Sequence, residues 1–170
     1  MNVARMRMAA PTFAFLFSHP AHLIAQGFGT GLSPVAPGTI GTLVALPIAW
    51  ALDAYAGTPA WLVAITAITI VGGWAAHVTS RDLGAADHGS IVIDEIAAFL
   101  LVLFFAGPGP LRQGVAFVLF RFFDIVKPPP IRQLDRAMKS AVGVMADDFL
   151  AAGYTLLVLA VLLRLFTGWF

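Results

Sequence analysis

The chain has 170 residues, of which 59% are hydrophobic and 11% charged, whereas about a quarter of a typical soluble domain is charged. This composition excludes an ordinary water-soluble protein and indicates an all-α, polytopic integral membrane protein. The net charge of +1 predicts no basic surface for nucleic acid, and the lack of cysteine excludes disulfides, thiolate metal sites and cysteine nucleophiles.

Residues 1–28 predict an N-terminal segment that lies at the membrane interface. Its apolar part, Phe13–Ile24, is interrupted by Pro20 and is too short to cross a bilayer, which takes about 20 residues. The side chains expected in the acyl boundary are Phe13, Phe15, Leu16 and Phe17. No repeat or linker divides the sequence, so residues 1–170 are interpreted as one domain.

Five apolar segments separated by polar loops predict five membrane-spanning helices. They are Val44–Ala56, Trp61–Val78, Ile91–Ala106, Gly114–Val126 and Phe149–Phe166. The third and fourth segments are short for a span, so tilted or re-entrant arrangements stay open, with four spans as the alternative count.

The distribution of charges orients these segments. With a cytoplasmic N-terminus and five spans, seven of the ten Lys and Arg residues lie inside, in agreement with the positive-inside rule. The same topology brings six of the nine acids to cytoplasmic ends of spans or to the loops between them. These six are Asp87, Asp94, Glu95, Asp124, Asp147 and Asp148. The chemistry is therefore expected on the cytoplasmic side.

A loop of glycines, prolines and hydroxyl residues, GTGLSPVAPGTIGT at residues 29–42, leads into the first span. Backbone amides near Gly38 and Gly41 would approach an anion closely, and the hydroxyls of Thr39 and Thr42 would donate to a phosphate. The alternative is that the loop only shapes the entry into the membrane, with Gly41 permitting close helix packing.

The segment DHGSIVIDE, residues 87–95, places three carboxylates around the start of the third span. A carboxylate at membrane depth costs roughly 2.5–3.5 kcal/mol unless it faces a polar cavity or a cation. The helix dipole favours a first-turn acid by up to about 1 kcal/mol, which explains one acid better than three. The adjacent His88 is a candidate for substrate binding, although a solvated loop histidine is the commoner case.

The segment FRFFDIVKPPPIRQLDR, residues 120–136, carries Arg121, Asp124 and Lys127 at helical spacing, so the first two share a face. They form either a structural ion pair or a pair in which arginine holds a phosphate and aspartate a metal. The face expected to meet lipid consists of Phe120, Phe122, Phe123 and Val126. Pro128–Pro130 end the helix, and the basic loop after them would also suit anionic headgroups.

The segment GVMADDF, residues 143–149, places Asp147 and Asp148 before the last span. Alone they could be a helix cap and a first-turn acid. Together with the other acids at the same membrane face they favour a metal site, since Mg²⁺ prefers carboxylate oxygens and completes its shell with substrate phosphate.

Together the four segments resemble the phosphatidylglycerophosphatase A family, over a stretch from about Ser18 to Tyr154. The family pattern reads GxGLSPxxPGTxG, IVxDE, FRxxDxxKPxPI and GxMxDD, and all four strings occur here in this order. Where the family often carries glycine, this chain has Ala98 and Ala152, changes that remove no chemical group.

The resemblance implies hydrolysis of phosphatidylglycerophosphate to phosphatidylglycerol and phosphate, with Mg²⁺, at the cytoplasmic face of a bacterial inner membrane. The implied metal ligands are Asp87, Asp94, Asp124 and Asp148. The implied catalytic groups are Asp94, Glu95, Asp124, Asp147 and Asp148, with Glu95 or Asp147 as general base. The implied substrate-binding residues are Gly38, Thr39, Gly41, Thr42, His88, Arg121 and Lys127. Attack by water is favoured, and an acyl-phosphate route through an aspartate stays open.

Two alternatives come from other classes of protein. A Mg²⁺-dependent lipid phosphotransferase also gathers aspartates at helix ends, but its spaced Asp-Gly pattern is missing here. A cation channel or carrier also uses intramembrane acids, but these would be distributed through the depth of the bilayer.

Overall fold

The computed structural model describes residues 11–85, 88–137 and 141–165, and every regular element within these ranges is helical. This confirms the all-α class. The N-terminal part contains α1 (Phe13–Leu16), α2 (Pro20–Ala25) and a 3₁₀ segment (Gly27–Leu32). The longer helices follow as α3 (Pro37–Leu43), α4 (Ala45–Tyr55), α5 (Thr58–Leu83), α6 (Ile93–Ala106), α7 (Pro110–Val126), α8 (Ile131–Ala137) and α9 (Ala141–Leu165).

Three helical stretches in the described ranges are long and apolar enough to cross a membrane. They are Pro37–Tyr55, which combines α3 and α4, Thr58–Leu83, and Met145–Leu165 within α9. Helices α6 and α7 have 14 and 17 residues. At 1.5 Å per residue they extend about 21 Å and 26 Å, less than the roughly 30 Å of a hydrocarbon core. The first, second and fifth predicted spans therefore meet the length requirement, and the third and fourth do not.

Helix α6 is the centre of the bundle. It packs against α4, α5, α7 and α9, and most of its side chains are buried all round its circumference. Phe99 is fully buried, and its ring centroid lies 5.4 Å from that of Phe120 on α7. The prediction that Phe120 faces lipid is therefore wrong, because this ring fills the contact between α6 and α7. Phe122 and Val126 on the same helix are exposed, as the sequence predicts.

The first candidate span bends where α3 gives way to α4 at Val44. Pro47 has no amide proton for the carbonyl of Leu43, so the regular hydrogen-bonding pattern is interrupted there. Both α3 and α4 pack against α6. Gly41 makes the approach possible, since a Cβ on Gly41 would collide with the side chain of Val92.

The N-terminal segment packs against the helical bundle and also exposes some of its apolar side chains. Phe13 and Phe17 are exposed, as an interfacial position requires, but Leu16 is buried against protein rather than in lipid. Helix α2 packs against α5, where Nε2 of His22 lies 3.0 Å from Oδ2 of Asp82. Oγ of Ser18 lies 3.0 Å from Nδ1 of the same histidine. This polar contact, which the sequence analysis did not identify, ties the segment to the end of α5.

The basic stretch after the three prolines is partly helical, since it forms α8 rather than a loop. Tyr154 on α9 donates a hydrogen bond of 2.9 Å to the carbonyl of Pro129 and so holds the start of this stretch against the bundle. Helix α9 begins at Ala141, which places Asp147 and Asp148 inside the helix and not at its cap or in its first turn. The capping explanation for these two acids therefore does not apply.

Candidate active site

Five acidic side chains meet where the start of α6 and the end of α7 pack against α9. Asp94 and Glu95 lie in the first turn of α6, Asp124 lies in the last turn of α7, and Asp147 and Asp148 lie in α9. Asp94, Asp147 and Asp148 are each at most 4% exposed. The structure thus brings together the acids of the second, third and fourth sequence segments within the described residues.

The carboxylates are close enough to repel one another. Asp94 interacts electrostatically with Asp124 and Asp147, and Asp148 interacts with Asp94, Glu95 and Asp124. Buried like charges at this density are stable only when cations or protons compensate them.

Arg121 is the cation at the centre of this group. Its Nη1 lies 2.9 Å from Oε1 of Glu95 and 2.8 Å from Oδ2 of Asp124. The pairing with Asp124 confirms that these two residues share a face of α7. The same nitrogen lies 3.3 Å from Oγ1 of Thr42, so one guanidinium joins α7 to α3 and α6.

Two atoms of the Arg121–Glu95 pair are buried without a partner in the part of the chain that is described. They are Nε of Arg121 and Oε2 of Glu95. An unpaired buried polar atom costs about 1–3 kcal/mol, and such atoms are rare in folded proteins. An unpaired donor and an unpaired acceptor on these two side chains are therefore suited to a bound ligand or ion.

Lys127 provides a second cation at the end of α7. It adopts a left-handed backbone conformation with φ 46°, which turns the chain at the helix terminus. Its ammonium group forms an ion pair with Asp147 on α9. Lys127 therefore joins α7 to α9, as Arg121 joins α7 to α6.

The glycine-rich segment contributes backbone and a hydroxyl to the same site. A Cβ on Gly38 would collide with the carboxylate of Glu95, so the backbone of α3 lies directly against this acid. Thr42 is buried and donates its hydroxyl proton to the carbonyl of Gly38 at 2.8 Å, while it accepts from Arg121. In this arrangement Thr42 positions Arg121. Gly41 packs against Val92 and not against the acids, as the packing alternative for this glycine requires.

The remaining predicted residues have no hydrogen bond or ion pair to the acids among the described residues. Thr39 is half-buried on α3. His88 pairs locally, with its Nδ1 2.8 Å from Oγ of Ser90 and accepting from the Ser90 amide. Asp87 lies outside the described residues.

The donor chemistry of the site fits magnesium. Its ligands would be carboxylate oxygens, and among the described residues five acids meet the two cations Arg121 and Lys127. The partnerless Oε2 of Glu95 is a further acceptor. In the geometry of the described residues, however, no group of three or more Asp, Glu or His side chains is placed so that it could hold one metal ion.

One buried polar residue was missed by the sequence analysis. The side chain of Gln26 is fully buried, and neither its oxygen nor its nitrogen has a partner among the described residues. Its carbonyl accepts hydrogen bonds from the amides of Gly29 and Gly31, at the start of the glycine-rich segment. A glutamine directly before the glycines was the only signal, and a single amide in an apolar run does not distinguish a core position from a binding position.

The fold and the site together define a helical protein of apolar exterior with a buried, acid-rich site at one end of its bundle. The chain belongs to the phosphatidylglycerophosphatase A family, whose model matches residues 23–163. This confirms the resemblance seen in the four segments and the prediction that the chain is a phosphatase enzyme.

Three relatives support the assignment. Phosphatidylglycerophosphatase A of Escherichia coli is 42% identical over 136 residues, which cover 79% of this chain and 78% of the relative. The protein of the same name from Haemophilus influenzae is 42% identical over 142 residues, with 82% and 86% covered. A Bacteroides thetaiotaomicron protein, provisionally named a phosphatidylinositol-3-phosphatase, is 41% identical over 149 residues, with 82% and 91% covered. No solved structure matches the chain.

Proposed function

We propose that this enzyme hydrolyses the terminal phosphomonoester of phosphatidylglycerophosphate and releases phosphatidylglycerol and inorganic phosphate. Family membership and the names of two relatives support this substrate. The observation that carries the proposal is Arg121, which is held among three helices and beside an excess of carboxylates. A phosphate that displaces one carboxylate from this guanidinium would gain a bidentate, charge-assisted contact.

Glu95 is the better placed of the two general-base candidates. Its Oε1 is bonded to Arg121, while its Oε2 has no partner in the described structure. Asp147, the other candidate, is paired with Lys127. In the proposed reaction Glu95 takes a proton from water, the water oxygen bonds to phosphorus, and the bond from phosphorus to the glycerol oxygen breaks. The departing oxygen then takes up the proton that Glu95 accepted, so the carboxylate is restored and the reaction consumes one water.

Asp94, Asp124 and Asp148 would hold Mg²⁺ in this proposal. Bound there, the ion would neutralise the phosphoryl oxygens and orient the attacking water. Asp124 would then serve two partners, because it also bonds to Arg121. Burial of all three acids on different helices supports this role, since carboxylates are seldom buried without a cation.

We further propose that the enzyme crosses the bacterial inner membrane five times, with the site on the cytoplasmic side. The three long apolar stretches provide three spans. Helices α6 and α7 provide the other two despite their length, because α6 is enclosed by neighbouring helices and has no need to match the lipid thickness by itself. The acids lie at the end of the bundle where α5 also presents Arg81, which agrees with the positive-inside rule.

The test is phosphate release by the purified full-length protein in detergent. With phosphatidylglycerophosphate and Mg²⁺ we expect turnover that disappears on chelation and returns when Mg²⁺ is added back. Absence of phosphate release under these conditions would reject the proposed function. Phosphatidylinositol 3-phosphate serves as the comparison substrate, because one relative carries that name. Faster cleavage of the inositol lipid would reassign the substrate while leaving the phosphatase class intact.

A further inference from the structure

An apolar groove lies beside the candidate active site, and nothing in the proposed chemistry uses it. Its volume is about 270 Å³, slightly below the range of roughly 300–1,000 Å³ for small-molecule sites. It is formed between the 3₁₀ segment, α4, α5 and α6, and every residue that lines it is apolar or glycine. Such a lining offers nothing to a charged headgroup but suits a hydrocarbon chain.

The groove begins at the level of the acids. Ile93 and Ile96 line it from α6, and they flank Asp94 and Glu95 in the sequence. Val44 lines it from the bend that follows Thr42. Glu95, which contacts Arg121, lies between Ile93 and Ile96 in the sequence, so the groove begins within one turn of α6 from that contact.

From this level the groove extends along α5 toward the interior of the bundle. Gly72 is next to Ile93, since a Cβ on Gly72 would lie 2.7 Å from Cγ1 of that isoleucine. Ala67 lines the groove five residues earlier on α5, which corresponds to roughly 8 Å along the helix. Because α5 is a candidate span, this direction leads from the membrane surface into the hydrocarbon region.

The groove is open on its lipid side. Ala67 and Val71 are exposed on α5, and Phe28 is 69% exposed at the rim. Phe28 adopts a left-handed backbone conformation with φ 57°, which is unusual for a bulky residue and costs about 1–2 kcal/mol in an L-amino acid. Backbone strain of this kind is concentrated at ligand sites, and here it places an aromatic ring at the groove entrance.

We propose that this groove holds an acyl chain of the lipid substrate while the phosphate lies at Arg121. The proposal rests on the proposed function and adds a second binding site to it. It makes the enzyme selective for a membrane lipid over the free headgroup, because binding of the remote chain contributes to positioning the phosphate.

The experiment fills the groove with Ala67→Phe and compares it with Ile70→Phe, a matched change at an exposed position of α5 outside the groove. Long-chain phosphatidylglycerophosphate and its deacylated headgroup are the two substrates. We expect Ala67→Phe to lower kcat/KM for the long-chain lipid by about tenfold or more and to leave the headgroup within about twofold of the unmodified enzyme. Ile70→Phe should change neither. An equal loss on both substrates, or no loss on the lipid, would overturn the proposal.

Cross-linking provides a readout that does not depend on turnover. Full-length protein in phosphatidylethanolamine vesicles is irradiated with phosphatidylglycerophosphate that carries a diazirine in mid-chain, and labelled residues are identified by mass spectrometry. We expect labels at Ile68, Val71 and Ile96, suppressed by unlabelled substrate and by Ala67→Phe. Labels spread around the whole surface of α5, or labels that unlabelled substrate does not suppress, would show that the probe reacted from the bulk bilayer. Either result would reject the groove as an acyl-chain site. Specific labels without hydrolysis would reject the proposed function and keep the groove.

Discussion

Nη1 of Arg121 lies 2.9 Å from Oε1 of Glu95 and connects α7 to α6. The hydrogen-bonding capacity of the pair is only partly used in the described structure, because Oε2 of the glutamate and Nε of the arginine have no partner. The contact thus fixes one edge of each group and leaves the other available. A preformed donor and base in this relation fit phosphate hydrolysis better than a purely structural ion pair, in which every polar atom would be expected to be bonded.

The position of Glu95 depends on Gly38, and this dependence can be tested. In Gly38→Ala the new methyl group would displace the carboxylate, which is the end of a flexible side chain and moves at little cost to the fold. We expect turnover to fall by about tenfold or more, equivalent to about 1.4 kcal/mol of barrier, with a melting temperature close to that of the unmodified protein.

Gly41→Ala provides the contrast, because the methyl group would meet Val92 close to its backbone and the packing of α3 on α6 would have to change. This variant should lose thermal stability. Gly153, where an added Cβ meets open space, provides the neutral control as Gly153→Ala. Full activity in Gly38→Ala would show that the exact position of Glu95 is unimportant.

The magnesium ligands are tested by Asp94→Asn, Asp124→Asn and Asp148→Asn, each of which keeps the shape of the side chain and removes its charge. We expect each to reduce turnover more than about tenfold and to weaken the Mg²⁺ concentration dependence. Asp53→Asn is the matched control. Asp53 is exposed and accepts a hydrogen bond from Trp61, which asparagine can also accept. If all three site variants keep more than a tenth of the activity, these acids are not metal ligands.

Much of the site was predictable because its chemistry is local in the sequence. Three pairs of residues are recognisable as charges within apolar segments, where burying an uncompensated charge is costly. They are Asp94 with Glu95, Arg121 with Asp124, and Asp147 with Asp148. The helical spacing of Arg121 and Asp124 predicts their contact directly. Which oxygen bonds to which nitrogen was not predictable, since the partner Thr42 is 79 positions away from Arg121.

The sequence does not show which apolar side chains face lipid and which pack against protein. Phe120 and Phe122 look alike in the sequence, yet one is buried and the other exposed. An apolar residue has the same hydropathy value whether it contacts lipid or protein. Hydropathy therefore also could not identify α6 as a short helix at the centre of the bundle. Likewise, the contact of His22 with Asp82 spans 60 positions and follows from the packing of α2 on α5.

The five-span topology predicts that the α6–α7 turn and α8 lie on opposite sides of the membrane. The chain has no cysteine, so single cysteines can be introduced at Pro108 in the turn and Gln133 in α8, both of which are exposed. In spheroplasts an impermeant maleimide should label Pro108→Cys and spare Gln133→Cys until the membrane is opened. Protection of both sites would indicate that α6 and α7 form a re-entrant pair, which would leave three spans instead of five or four.

Arg121 separates the structural and the catalytic roles of the site most directly. Its Nη1 serves Glu95, Asp124 and Thr42 at once, while the planar guanidinium presents further donors for a phosphate. We expect Arg121→Ala and Arg121→Lys both to lose at least about 100-fold in turnover, or roughly 2.7 kcal/mol, since a lysine ammonium is a point charge without the bidentate geometry.

A double variant that removes both members of the Arg121–Asp124 pair tests whether the pair is only structural. If the arginine only neutralised its neighbours, Arg121→Gln combined with Asp124→Asn would remain active, because removing both members of a buried pair costs less than stranding one. We expect this double variant to fold and to be inactive. Near-normal hydrolysis by it, or by Arg121→Lys, would assign Arg121 to the structure of the bundle and remove it from the phosphate site.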